Sequence, residues 1–117
     1  MSQFRPFSAA VRPAGGAAII DLSGEINAAA DVALNAAYIQ AVQEQPGRLL
    51  LNFGDVDYIN STGIALIVGV LAQARKAHIA LVTFGLSPHY QEIFRITRLS
   101  DFMGMTSDEA SALAGGQ

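Results

Sequence analysis

Apolar and polar positions alternate with a short period in some blocks of this chain and recur at helical spacing in others. "AAIIDLSGEI" (Ala17–Ile26) is apolar and then alternating, the pattern of a β-strand with one face better covered than the other. A weaker strand is predicted over residues 7–11, and the intervening "PAGG" at 13–16 reads as a turn, so the two form a hairpin. Residues 27–45 then place Val32, Leu34, Ala37, Tyr38, Ala41 and Val42 on a helical stripe that Pro46-Gly47 brings to a stop. "RLLLNF" at 48–53 is a continuous apolar run, expected of a central strand covered on both faces. "GDVDYIN" reads as a loop, and a helix follows over 62–76. "HIALVTF" at 78–84 is a further buried strand. Ser87 as N-cap and Pro88 in the first turn start a third helix that is expected to end near Leu99. "DFMGM" adds a short strand, and "TSDEASALA" a short helix capped by Thr106 or Ser107.

Strand and helix alternate after the hairpin, which predicts an α/β fold with a mixed, largely parallel sheet and helices packed on it. No linker or repeat interrupts the chain, so residues 1–117 read as a single domain, with about 1–6 and 114–117 frayed. That length can bury a core without staples, and 51% hydrophobic against 15% charged residues excludes a disordered chain.

Composition narrows the chemistry further. The chain has no cysteine, which removes disulfides, thiolate catalysis and zinc–thiolate sites and agrees with a cytoplasmic location. Its first residues, "MSQFRPFSAAVRP", lack the apolar core of a signal peptide. The longest apolar stretch, "GIALIVGVLA", is too short for a bilayer, which takes about 20 residues, so no membrane insertion is expected. A net charge of −3 with scattered basic residues offers no footprint for nucleic acid. Arg95 and Arg98 share a predicted helix face, read as solvated.

Ser61 is the most suggestive hydroxyl, but a nucleophile needs a base. His78 lies at the far end of a helix some 22 Å long, at roughly 1.5 Å per residue. His89, at the start of the third helix, can approach the Ser61 loop, yet no "GxSxG" elbow surrounds Ser61. No phosphate-binding glycine motif occurs, and no cofactor or metal is expected. Asp55 and Asp57 read as solvated acids in a turn, with a cation site as the sharper alternative. A small hydrolase or nucleotide-binding enzyme using Ser61 or that acid pair therefore lacks its base and its phosphate loop.

The helix after Ser61 is apolar on more than one side. Ile64, Ile67, Val68, Leu71 and Ala74 form the stripe expected to face the sheet, while Leu66 and Val70 lie on another side among small residues. Either a neighbouring helix covers that second side or it is a docking surface, for a second copy or for another protein. Ser61, at the helix start, reads as an N-cap, and its position also suits a phosphate, which adds about −1.5 to −2 charges near neutral pH.

Three ordered stretches resemble the STAS domain family, and within it the small stand-alone anti-sigma-factor antagonists. "IIDLSGEIN" resembles the family's strand and "GELD"-like turn. "LLLNFGDVDYINSTGIALIVGVL" resembles its strand, loop and "DS[ST]G" helix start. "LVTFGLSPHYQEIFRITRLSDF" resembles its next strand and capped helix. The resemblance implies a four- or five-stranded mixed sheet with helices mainly on one side, and a non-enzymatic role. It implies binding to an anti-sigma factor with serine kinase activity, release by phosphorylation, and reversal by a PP2C-type phosphatase. Carried over by position, the modified residue is Ser61, with Thr62 as runner-up, and the partner-binding residues are Asn27, Asn60, Ser61, Thr62, Gly63, Ile64 and Leu66. The alternative is a non-phosphorylated scaffold subunit of a transporter or signalling assembly. Asn27 and Asn60 stand where the family has aspartate. Asparagine caps as well as aspartate does, but a partner reading a carboxylate there loses that contact, and repulsion toward a phosphate on Ser61 falls.

Overall fold

The computed structural model describes residues 4–115. Five strands, β1 (Ser8–Ala14), β2 (Ala17–Ile26), β3 (Arg48–Ile59), β4 (Ala80–Phe84) and β5 (Gly104–Thr106), lie in the sheet in the order in which they occur in the chain. β1 and β2 are antiparallel, and every later pair is parallel. Between the parallel strands run α1 (Asp31–Val42), α2 (Ser61–Lys76) and α3 (Pro88–Ile96), while α4 (Glu109–Leu113) follows β5.

Strand order explains where the helices lie. Right-handed crossovers that always step to the next strand in one direction must all pass over the same face of the sheet. Leu34 and Tyr38 of α1, Ile67 and Leu71 of α2 and Phe94 of α3 accordingly share one core with Ile20, Leu22, Leu49 and Leu51. The other face carries a smaller cluster of Ile19, Leu50, Val82 and Phe84, covered by Ala112 and Leu113 of α4. The fold is thus five-stranded and mixed, with helices mainly on one side, as the resemblance implies. Two arginines clip α4 in place. Arg12 pairs with Glu109 and Asp21, each at 2.6 Å, and Arg48 donates to the carbonyl of Leu113 at 2.8 Å.

Several boundaries differ from the sequence reading for identifiable reasons. "GDVDYIN" is no loop, because β3 runs on to Ile59. Its pairing with β2 skips a residue twice: Asp21 to Ser23 is matched by Asn52 to Asp55, and Gly24 to Glu25 by Val56 to Tyr58. Such bulges break the alternation by which a strand is read. β1 extends to Ala14, leaving only Gly15 and Gly16 in the turn. The helical span at 27–45 begins as a 3-10 turn over Ala28–Ala30, and α1 starts only at Asp31. Val32 is 82% exposed, whereas Leu34, Ala37, Tyr38 and Ala41 are buried. His78 takes a left-handed conformation after α2, so β4 starts at Ala80. α3 stops at Ile96, and Arg98 is left-handed at φ 67° beyond its end. Arg95 and Arg98 therefore share no helix face; they pair with Glu92 and Asp101 respectively. The cap of α4 is Asp108, which accepts from the Ser111 amide, and neither Thr106 nor Ser107. Of the termini expected to fray, residues 1–3 and 116–117 lie outside the described residues.

Candidate functional site

The C-terminal ends of β2 and β3 are held side by side, with Ile26 opposite Ile59. Each strand is followed at once by an asparagine that caps the next turn. Asn27 accepts from the Ala29 amide at 2.8 Å, and Asn60 accepts from the Gly63 amide at 2.8 Å. Asn60 also donates its own backbone N–H to the Ile26 carbonyl at 3.2 Å, joining the two caps.

Gly63 lets α2 begin this close to β2. A Cβ at that position would stand 2.1 Å from the Ile26 carbonyl oxygen and 3.0 Å from an Ile59 methyl. Any side chain there would push the helix start away from the sheet.

Ser61 is therefore not the cap. It is the first residue of α2, exposed, and its hydroxyl has no hydrogen bond among the described residues. Thr62 beside it is exposed as well. The first-turn amides of a helix lack intrahelical partners and carry the positive end of its dipole. Asn60 uses one of them, at Gly63, and the hydroxyl of Ser61 stands beside the rest.

Behind this edge, β3 outruns β4, whose last pairing is Asn52 with Phe84. Tyr90 of α3 serves the orphaned backbone there. Its buried hydroxyl accepts from the Ile59 N–H at 2.8 Å and donates to the Ile59 carbonyl at 3.3 Å. α3 itself is anchored by Phe94, whose ring meets Phe53 edge-on at 5.9 Å. Sequence reasoning did not single out Tyr90. The available signal was a tyrosine four residues before Phe94 on an apolar stripe, since a buried phenol needs a partner. His89, by contrast, is exposed, its ring packs against Tyr90, and no hydrogen bond joins it to Ser61 among the described residues.

The acid pair has a partner from the far end of the chain. Arg5 donates to both oxygens of Asp57, at 3.0 and 2.9 Å, and to Asp55 through its side chain at 3.3 Å and its carbonyl at 2.7 Å. The two acids lie on β3 and not in a turn, and both are exposed, as expected of solvated acids, while pairing with Arg5. The guanidinium holds the Asp57 carboxyl below the usual carboxylate range, chiefly through these hydrogen bonds. Among the described residues, no group of three or more His, Asp or Glu side chains is arranged to hold a metal ion.

α2 buries Gly63, Ile67, Val70, Leu71 and Ala74. Val68, expected on the sheet-facing stripe, is instead 41% exposed, and Val70 takes a buried place. Ile64 and Leu66 are half-buried. α1 covers part of the second side, leaving a shallow groove lined by Leu34, Asn35, Ala65, Leu66, Gly69 and Gln73. The sequence-predicted residues Asn27, Asn60, Ser61, Thr62, Gly63, Ile64 and Leu66 thus gather at one end of the sheet and along the start of α2.

The STAS domain matches residues 8–112. The chain belongs to the STAS family. Among STAS relatives, BtrV of Bordetella bronchiseptica is 36% identical over 100 residues, covering 85% of this chain and 86% of its own length. The anti-sigma-B factor antagonist of Listeria monocytogenes is 33% identical over 91 residues, covering 77% of this chain and 79% of its own length. Solved STAS folds agree with the sheet described above. An anti-sigma factor antagonist from Mycobacterium paratuberculosis superposes with a TM-score of 0.81 at 19% identity, over 95% of this chain and 94% of that one. The Bacillus cell fate determinant SpoIIAA, in its phosphorylated form, gives 0.68 at 19% identity, over 93% and 97%. No helix among the described residues is long and apolar enough to cross a membrane.

Proposed function

We propose that this STAS protein is an anti-sigma factor antagonist that acts by binding, and that phosphorylation of Ser61 switches the binding off. The partner is an anti-sigma factor with serine kinase activity, and a PP2C-type phosphatase restores the free hydroxyl. The docking surface comprises Asn27, Asn60, Thr62, Gly63, Ile64 and Leu66 around Ser61. The likeness to named antagonists, and to a neighbour described in a phosphorylated form, supports the reading.

One observation carries it. Because Asn60 caps α2, the Ser61 hydroxyl is exposed and unused by the fold. A phosphate there breaks no cap and sits at the favourable end of the helix dipole, so the folded chain tolerates it. A docked partner must bury about −1.5 to −2 charges beside Ile64, Leu66 and Val68, which is costly unless a cation pairs with them. The fold is indifferent to the modification and the complex is not.

The test is incubation with the cognate kinase and ATP, followed by mapping of phosphate by mass spectrometry and titration of binding. We expect phosphate on Ser61, none in Ser61→Ala, and binding by Ser61→Asp weakened by roughly tenfold or more, about 1.4 kcal/mol. Phosphate found only elsewhere, or Ser61→Asp binding as tightly as the wild type, overturns the switch. Stable binding indifferent to both variants would point to the scaffold role instead.

A further inference from the structure

The sheet has two edges, and they differ. β5 is three residues long, and shortness itself guards an edge strand. β1 is seven residues long and lies at the opposite edge. Its hairpin closes on Ala14 opposite Ala17 across the two-residue turn Gly15-Gly16, with Gly15 at φ 64°. The flanking pair of such a turn is hydrogen-bonded, and the antiparallel ladder alternates from there. Residues 14, 12, 10 and 8 therefore spend their backbone groups on β2, and residues 13, 11 and 9 direct theirs outward. Pro13 fits this assignment, since its missing N–H falls where β2 needs no donor.

Beyond Pro13 the edge is unguarded. Arg12 cannot guard it, because its guanidinium is drawn onto the α4 face by Asp21 and Glu109. What remains is Ser8, Ala9, Ala10 and Val11, small or apolar, with the outward N–H and C=O groups of Ala9 and Val11 facing no strand.

We propose that β1 pairs antiparallel with β1 of a second copy of this chain, joining two sheets into one. Of the two-fold registers that bring outward groups together, the one centred on Ala10 overlaps residues 7–13 of both copies. Ala9 then faces the second copy's Val11, and Val11 its Ala9, and each pair exchanges two hydrogen bonds. The Phe7 N–H meets the carbonyl of the second copy's Pro13, so the proline again costs no bond. Ala10 meets Ala10 at a non-hydrogen-bonded pair, where Cα atoms approach to about 4.5 Å and a small side chain is needed.

The helix face supplies an independent observation. Phe7, Ala9 and Val11 point to that face and pack against the main core. Beside them an open cleft of about 420 Å³ lies between β1 and the end of α1, lined by Val11, Pro13, Ala18, Gln40, Ala41 and Pro46. The Ala10-centred register sets the second copy's Phe7 opposite Pro13, at the mouth of this cleft. The pairing is isologous and closes at two copies. It leaves Ser61 and the start of α2 free on both, two strands away, so the dimer presents two docking sites.

The test is sedimentation equilibrium on the full chain from micromolar to millimolar concentration, with amide exchange measured across the same series. We expect the mass to rise from 12.3 kDa toward twice that value. Protection of the Ala9 and Val11 amides should grow with concentration, while Ala10 and Arg12 stay protected throughout. Ala9→Pro removes an outward donor from each copy and no bond to β2, and should weaken association by roughly tenfold or more. Ala10→Lys places like charges opposite each other at the two-fold and should do the same, so the test survives if either variant folds poorly. A monomer mass throughout overturns the proposal and leaves the edge to a strand of a different protein. Self-association as tight in both variants as in the wild type also overturns it, placing the contact elsewhere.

Discussion

One side chain at this site does the work that its neighbour Ser61 was expected to do, and another does work that the sequence reading assigned to no residue. Asn60, one residue before the hydroxyl pair, caps α2, and Tyr90, one residue after His89, ties α3 to the end of β3. The Tyr90 hydroxyl answers both backbone groups of Ile59, which have no strand partner on the β4 side. Tyr90→Phe leaves a buried N–H unsatisfied, so we expect a loss of about 1–3 kcal/mol in chemical denaturation. We also expect faster amide exchange at Ile59 with little change elsewhere. A variant as stable as the wild type would show that water replaces the phenol. The capping asparagine was legible in the sequence as a residue type that suits a helix start, but so was serine. Choosing between them needed the position of the Ile26 carbonyl, which only the assembled strands provide.

At the scale of elements, β2 was legible to the residue because its apolar start passes into a clean alternation from Ile20 to Ile26. The start of α3 was legible because Ser87 and Pro88 combine a cap with a fixed first turn. The last part of β3 was not. Its bulges destroy the two-residue period, and its acids look like loop residues until Arg5, from the far end of the chain, is seen to neutralise them. Long-range pairs of this kind leave no trace in a local window. The junction of β2 and α2 depends on backbone contact at Gly63, where a Cβ would fall 2.1 Å from the Ile26 oxygen. Gly63→Ala must therefore shift the helix start. We expect a loss of about 1–3 kcal/mol, the usual cost of overpacking, together with a weakened Asn60 cap visible as faster exchange of the residue 63 amide. An unchanged denaturation midpoint would mean that the helix slides without penalty.

Across the whole molecule, charge ties the chain ends to the sheet. Arg12 lowers the carboxyls of Asp21 and Glu109, Arg5 lowers that of Asp57, and the Ser111 amide lowers that of Asp108. Each acid binds its proton more weakly folded than unfolded, so its contribution is complete above the unfolded values of about 3.9–4.3 and is lost progressively as pH falls below them through the lowered folded values. We expect the urea midpoint to hold above about pH 5 and to fall below it, and Arg12→Met to make that fall shallower. An equally steep fall in Arg12→Met would remove the Arg12 cluster as its cause. The sequential strand order has a separate consequence, for how the chain is made. Each strand that emerges during synthesis finds its sheet neighbour already present, and none must later be parted to admit another. The sheet can therefore grow from its β1 edge in the order of translation, each crossover closing over a finished pair, and α4 arrives last to seal the remaining face.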